Sequence, residues 1–133
     1  MATMTLDTAK KLADYAQDLV AKEYGGKPFS IAICDKDGFL VLFHKVDGAK
    51  LLTIALTPQK AYTAARMGVS TAAFLQRLQQ ENLEISYFAD AKFVAMPGGV
   101  PLLQDGVLIG AVGIGGLKED GEVAEKVVAK ALG

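Results

Sequence analysis

Asp105-Gly106 separates two apolar runs, Val100 to Leu103 and Val107 to Ile114. An Asp-Gly pair accepts the positive φ angles of a two-residue hairpin turn, so the runs are expected to be antiparallel strands. A second signal of the same kind, Asp35-Lys-Asp-Gly38, lies between Phe29–Asp35 and Phe39–Val46 and predicts a second hairpin. Alternation places Val107, Ile109 and Ala111 on one face of the last strand and Leu108, Val112 and Ile114 on the other. Phe39, Val41 and Phe43 alternate with Leu40, Leu42 and His44 in the same way. Strands that are apolar on both faces belong in a sheet covered on both sides. Gly110 and Gly113 inside the last strand predict a bulge or the close approach of another backbone or a ligand.

Helical periodicity supplies the covers. Leu6 to Tyr24 repeats apolar residues at helical spacing, with Thr5 as its cap and Gly25-Gly26 as its stop. Thr57-Pro58 reads as a helix start running to about Met67; the alternative is a helix from near Thr53 that kinks at Pro58. Ser70 or Thr71 caps a short helix with Phe74, Leu75 and Leu78 inward, and Glu119 to Leu132 forms the last helix. Residues 82–91 read as loop anchored by Tyr87 and Phe88, and Phe93–Ala95 as a short additional strand. The order of elements gives an α/β fold with a mostly antiparallel sheet flanked by helices. With 133 residues and no linker or repeat, one domain spanning 1–133 is expected.

Composition narrows the function. A net charge of −1 leaves no broad basic surface for nucleic acid. No apolar run reaches the ~20 residues of a membrane helix, and the first residues lack a secretory pattern; a soluble, cytoplasmic protein is expected. Hydrophobic content of 51% is high for a monomer and points to an apolar interface between copies.

The glycine-rich segments do not make a nucleotide site. Gly113-Ile-Gly-Gly-Leu-Lys118 has Lys118 where the dinucleotide fingerprint needs a third glycine, and no phosphate-loop motif occurs. Cys34 is the only cysteine and His44 the only histidine, so neither a disulfide within the chain nor a Cys- or His-rich zinc site can form. Asp35, Asp37, Asp47 and Asp105 sit in turns, where aspartates commonly bond their own backbone. Lys60 falls in the first turn of a helix beginning at Thr57, where a cation opposes the dipole; it reads either as a solvated surface lysine or as one kept to hold an anion or pair with a carboxylate. No nucleophile–base pair emerges, which places binding ahead of catalysis.

Pro97-Gly-Gly-Val-Pro101, Asp105-Gly106 and Gly110-Ala-Val-Gly113 together resemble the signature of the GlcG/HbpS family, which includes the C-terminal domain of PduO adenosyltransferases. Ser30-Ile-Ala-Ile-Cys-Asp35 with Gly38, Val46-Asp-Gly-Ala49, Lys60-Ala61 and Thr63-Ala64 extend the resemblance from Leu6 to Leu132. The resemblance implies a profilin-like (roadblock-like) fold with a five-stranded antiparallel sheet, assembly into dimers and octamers, and heme or corrinoid-related ligands in some members. It also implies a place beside glycolate, glycerol or propanediol catabolism. On that footing a ligand site is expected from Asp47, Lys60, Gly98 and Gly99, with His44 beside them. Glycines would let backbone N–H groups approach a carboxylate that Lys60 neutralises. For heme, Leu40 and Leu42 would line the slot, His44 would be the iron donor and Lys60 the cation for a propionate. A structural or assembly subunit without ligand, and an enzyme of unknown reaction, are the rivals.

Overall fold

The computed structural model describes residues 3–133. Helix α1 (Leu6–Glu23) is capped as expected, the Thr5 hydroxyl accepting the Thr8 N–H at 3.1 Å. The chain then forms β1 (Ser30–Asp35) and β2 (Leu40–Lys45), α2 (Thr53–Met67), α3 (Thr71–Gln80), β3 (Gly99–Gln104), β4 (Val107–Gly115) and α4 (Asp120–Leu132). Ser70 caps α3 by accepting the Ala73 N–H at 3.1 Å. The sheet order is β2-β1-β4-β3 and every pairing is antiparallel, including both expected hairpins. Asp105 and Gly106 have φ of 52° and 79°, the two left-handed residues of a type I′ turn.

The sheet has four strands among the described residues, not five. Residues 93–95 are irregular because their backbone and side chains are engaged elsewhere. The Val94 N–H donates to the Thr63 hydroxyl at 3.0 Å, and the Phe93 ring packs edge-on against Tyr62 and Phe74. The 82–91 segment contains one 3-10 turn, Ile85–Phe88. Phe88 packs edge-on against Phe74, whereas Tyr87, expected as an anchor, is exposed.

Two cores flank the sheet. Ile31 and Ile33 of β1 and Val112 and Ile114 of β4 join residues of α1 and α4 on one face. Ala32, Cys34 and Ala111 meet Ala61, Ala64 and Ala65 of α2 on the other. Small residues on both partners bring α2 close to the strands. The expected alternation along β4 is interrupted at Ile109, which the register skips as it passes from Leu102↔Gly110 to Leu103↔Leu108. That bulge turns Ile109 into the core of Val112 and Ile114 rather than leaving it with Ala111.

Two further expectations change. Helix α2 begins at Thr53, with Pro58 inside it. Thr53 is buried and anchored, donating to the Lys50 carbonyl at 2.6 Å and sharing a hydrogen bond with Ser30 of β1 at 2.9 Å. Pro58 has no N–H for the Ile54 carbonyl, but Ile54 is exposed, so solvent can satisfy that oxygen. Lys60 therefore stands well inside the helix, not in its first turn. The hairpin β1–β2 is not covered on both sides either: β2 is an edge strand, α2 packs mainly on β4, β1 and β3, and Phe39 and Leu40 are 67% and 54% exposed.

Candidate functional site

Three of the expected site residues, Lys60, Gly98 and Gly99, come together where α2 crosses the end of β4. Lys60 is 1% exposed and its ammonium donates to the Ile114 carbonyl and to Asp120 Oδ2, each at 3.0 Å. Asp120 opens α4, where a carboxylate suits the helix dipole, and its Oδ1 accepts the Leu117 N–H at 2.8 Å. Burial pushes the Asp120 carboxyl above its ordinary range, and the Lys60 charge together with the backbone N–H groups of Leu117 and Gly116 pulls it back in part. Lys60 is therefore not a solvated lysine but the buried partner of a carboxylate, Asp120, supplied by the helix 60 positions later; nothing in the local sequence around Lys60 pointed to it.

The two glycines serve this closure. Gly98 has φ of 128°, and a Cβ there would meet the Ile114 carbonyl oxygen and stand 2.9 Å from Lys60 Nζ. A Cβ at Gly99 would collide with the Lys60 carbonyl oxygen. The Gly99 N–H donates to the Thr71 hydroxyl at 2.9 Å. The Gly99 N–H and the Lys60 cation, both expected to meet a ligand carboxylate, are engaged within the chain.

His44 and Asp47 lie elsewhere. His44 is exposed on β2, directly opposite Ile31, so it shares the α1 face of the sheet. The pairing runs across from His44 to Ile31 and on to Ile114 beside Gly98, which separates the histidine from the Gly98 strand by roughly 14 Å, three inter-strand spacings. Asp47 is exposed in the turn after β2.

The open space is on the opposite side of α2. A cleft of about 410 Å³ lies between α2 and the uncovered edge of β2. Phe39, Leu40, Ile54 and Pro58 form its apolar walls, and Cys34 contributes to its lining. Tyr62, Arg66 and Lys92 stand at its polar end. The Tyr62 hydroxyl donates to Asp90 Oδ2 at 2.6 Å. That bond raises the Tyr62 pKa and lowers that of Asp90. The Arg66 guanidinium lies 5.1 Å, and the Lys92 ammonium 5.5 Å, from the Tyr62 ring centroid, both within cation–π range. Arg66 Nε is fixed by the Asp37 carbonyl at 3.0 Å. Cys34 is inert: burial pushes its thiol up to about 12, and Sγ donates to the Ala61 carbonyl at 3.4 Å.

The slot expected from Leu40 and Leu42 on the His44 face is divided by the bulge in β1–β2: Leu40 lines this cleft, whereas Leu42 is buried in the core on the other face. Arg66 and Lys92 were not legible in the sequence, because their shared partner is Tyr62 and their nearness depends on the irregular 89–98 segment folding back over α2. Among the described residues no three His, Cys, Asp or Glu side chains stand close enough to hold a metal ion, and no helix is long and apolar enough to cross a membrane.

Residues 4–132 match the family model described as haem degrading protein HbpS-like. The chain is 32% identical over 136 residues to an uncharacterized 15.0 kDa protein of the dhaT-dhaS intergenic region of Citrobacter freundii, covering 94% of this chain and 89% of that one. It superposes on the crystal structure of a Streptomyces reticuli HbpS double mutant with a TM-score of 0.84 and 26% identity, over 100% of this chain and 89% of the other. The crystal structure of the PduOC:heme complex matches with a TM-score of 0.83 and 26% identity, over 96% of this chain and 94% of the other.

Proposed function

The chain belongs to the HbpS-like family, and from that premise we propose that it is a small-molecule-binding accessory protein whose ligand is heme or a related tetrapyrrole. The observation that carries the proposal is the cleft between β2 and α2, apolar along its walls and cationic at one end. A tetrapyrrole with propionates has the matching division: a flat apolar body and anions along one edge. That a PduOC relative forms a heme complex supports the same ligand class.

The residues fit the parts of heme unequally. Phe39, Leu40, Ile54 and Pro58 suit the macrocycle, and Arg66 and Lys92 suit the propionates. Bound heme would supply redox chemistry at its iron. The cleft, however, offers that iron no free donor from this chain: Tyr62 is committed to Asp90, Cys34 to the Ala61 carbonyl, and His44 is on the other face of the sheet. No reaction step is therefore assigned to the metal.

Self-association belongs to the same proposal. Leu51 and Leu52 are exposed in the turn that leads into α2, and Ile54 is exposed in its first turn. Large apolar surfaces of this kind are usually covered, and a homo-oligomer between dimer and octamer would cover this one. The setting is a cytoplasmic catabolic system such as glycolate, glycerol or propanediol use, consistent with the position of the Citrobacter relative between dhaT and dhaS. A subunit serving assembly alone is the second reading, favoured by the use of Gly98 and Gly99 for packing. A hemin titration followed in the Soret region decides between the two. A saturable shift is expected from the binding protein, and its absence leaves the assembly subunit. Light scattering checks the oligomer, and a mass of 14.0 kDa at micromolar concentration would remove it.

A further inference from the structure

Resting on the binding role proposed above, the geometry points to a cleft that selects its ligand by a planar apolar body and its carboxylates, without coordinating a metal. Three features of the cleft support this.

The first is the state of its cations. Lys60, which looks from the sequence like the ligand's counter-charge, is buried and bonded to Asp120. Arg66 and Lys92 are instead without an ion pair within 4.0 Å among the described residues. Asp90 is the carboxylate that feels both charges, and it already accepts the Tyr62 hydroxyl and, through Oδ1, the Lys92 backbone N–H at 3.0 Å. Arg66 spends only Nε on the Asp37 carbonyl, leaving its terminal N–H groups free to fork onto a carboxylate.

The second is preorganisation. Both cations rest on the Tyr62 ring, which is itself fixed by Asp90. Gly38, at the start of the β2 wall, leaves the ring room: a Cβ there would stand 2.9 Å from Tyr62 Cδ2. Cations held in place before binding lose less side-chain freedom when a carboxylate arrives.

The third is the donor inventory. Histidine, thiolate, methionine thioether and phenolate are the side chains that commonly ligate heme iron, and no methionine lines the cleft. The cleft contains no histidine, its thiol is bonded and protonated, and its phenol donates to a carboxylate. Hydrophobic walls with two unpaired cations describe a receptor for an amphipathic acid, and iron adds nothing to such recognition.

The test compares hemin, iron-free protoporphyrin IX and protoporphyrin IX dimethyl ester on the purified full chain, by absorbance and fluorescence titration. Hemin and protoporphyrin IX are expected to bind within about threefold of each other. The ester is expected to bind more weakly than the free acid by about tenfold or more, because esterification removes the anions that Arg66 and Lys92 would hold. Arg66→Ala combined with Lys92→Ala is expected to weaken both acids by a similar factor while leaving the ester unchanged; His44→Ala is expected to change none of the three. Saturable hemin binding with protoporphyrin IX weaker by about tenfold or more, or loss of hemin binding in His44→Ala, would overturn the inference and leave the binding role standing. Equal affinity for acid and ester would overturn it as well. No saturable binding of any of the three removes both. The acid–ester comparison on the unmodified chain needs no variant, so a misfolded double variant does not blunt the test.

Discussion

Helix α2 presents two unlike sides. Lys60 and Tyr62 are two residues apart, which sets them about 160° apart around the helix axis. On the Lys60 side the helix is packed closely: the ammonium is shared by a β4 carbonyl and an α4 carboxylate, and the 97–99 turn lies so near that a Cβ at either Gly98 or Gly99 would collide. On the Tyr62 side the helix faces an edge strand it does not cover, and the result is a cleft with charged groups, Arg66 and Lys92, that have no ion pair within 4.0 Å among the described residues. Glycines beside a lysine look like a ligand cradle when read along the chain. Here they close a joint between α2, β4 and α4. The room for a ligand arises where coverage of the sheet runs out.

The comparison breaks first at the Lys60–Asp120 pair. Removing one partner leaves the other buried without its counter-charge, a loss of about 3–5 kcal/mol when the pair is fully desolvated. Lys60→Ala and Asp120→Ala are each expected toward the lower end of that range, because the Asp120 side chain keeps 13% of its exposure. Urea unfolding followed by circular dichroism measures it. If either variant is as stable as the parent, the joint is not a closed one.

Gly99→Ala comes next. Its new Cβ meets the Lys60 carbonyl oxygen, a backbone atom that cannot swing aside. Overpacking of this kind costs about 1–3 kcal/mol. Gly98→Ala adds a left-handed φ of 128° to its clash with Ile114 and falls in the same range. Unchanged melting in both would mean that the turn can move away from α2, and that the site is more open than its packing indicates.

What the sequence disclosed divides along the same line. The hairpins, their antiparallel pairing and the caps at Thr5 and Ser70 depend on neighbours in the chain, and Asp-Gly or Ser at the right place is enough to see them. The start of α2 was harder, because Pro58 dominates the local pattern while the anchor of Thr53 is Ser30 on another element. The coverage of β2 was invisible: its alternation is apolar on both faces, and only the sheet order makes it an edge. Lys60 and the two glycines were singled out by residue type as a ligand site, whereas the structure uses them to close a joint with Asp120, a partner the local sequence did not indicate. Arg66 and Lys92 carried no signal at all, since a lone surface cation is the commonest thing a sequence contains.

The Tyr62 side answers differently to substitution. Phe39 is an exposed residue beside an edge strand. Phe39→Ser is expected to leave stability within about 0.5 kcal/mol of the parent, as for most surface changes, while weakening porphyrin binding. Thermal melts and titration on the same sample give both quantities. A large loss of stability would show that β2 is covered in solution, as it would be at an interface between copies.

Titration of Asp120 sharpens the other side. Its folded-state pKa is raised, so between the unfolded and folded values the folded chain holds the extra proton, and the stability contributed by this group falls as pH rises through that interval. Against Asp120→Asn, which cannot titrate, the parent should lose relative stability on going from about pH 4 upward until the folded pKa is passed. The opposite slope would mean that Lys60 outweighs burial and holds the carboxyl low.

The smallest effect is expected from Thr57, which lies one turn before Lys60 on the same side of α2. Its hydroxyl is buried against Gly115 and has no hydrogen-bond partner among the described residues. A buried hydroxyl without a partner has already given up its water, so replacing it with a methyl group of similar size removes a penalty instead of a bond. Thr57→Val keeps the β-branch and the volume, and its stability should equal or slightly exceed that of the parent. The contrast with Lys60→Ala, three residues away, is the useful measurement. Both positions are polar and fully enclosed, and only one of them is bonded. If Thr57→Val is instead destabilised by more than about 1 kcal/mol, the hydroxyl has a partner after all, an ordered water being the simplest. The Lys60 side of α2 would then contain a solvated pocket, and its difference from the Tyr62 side would be one of degree.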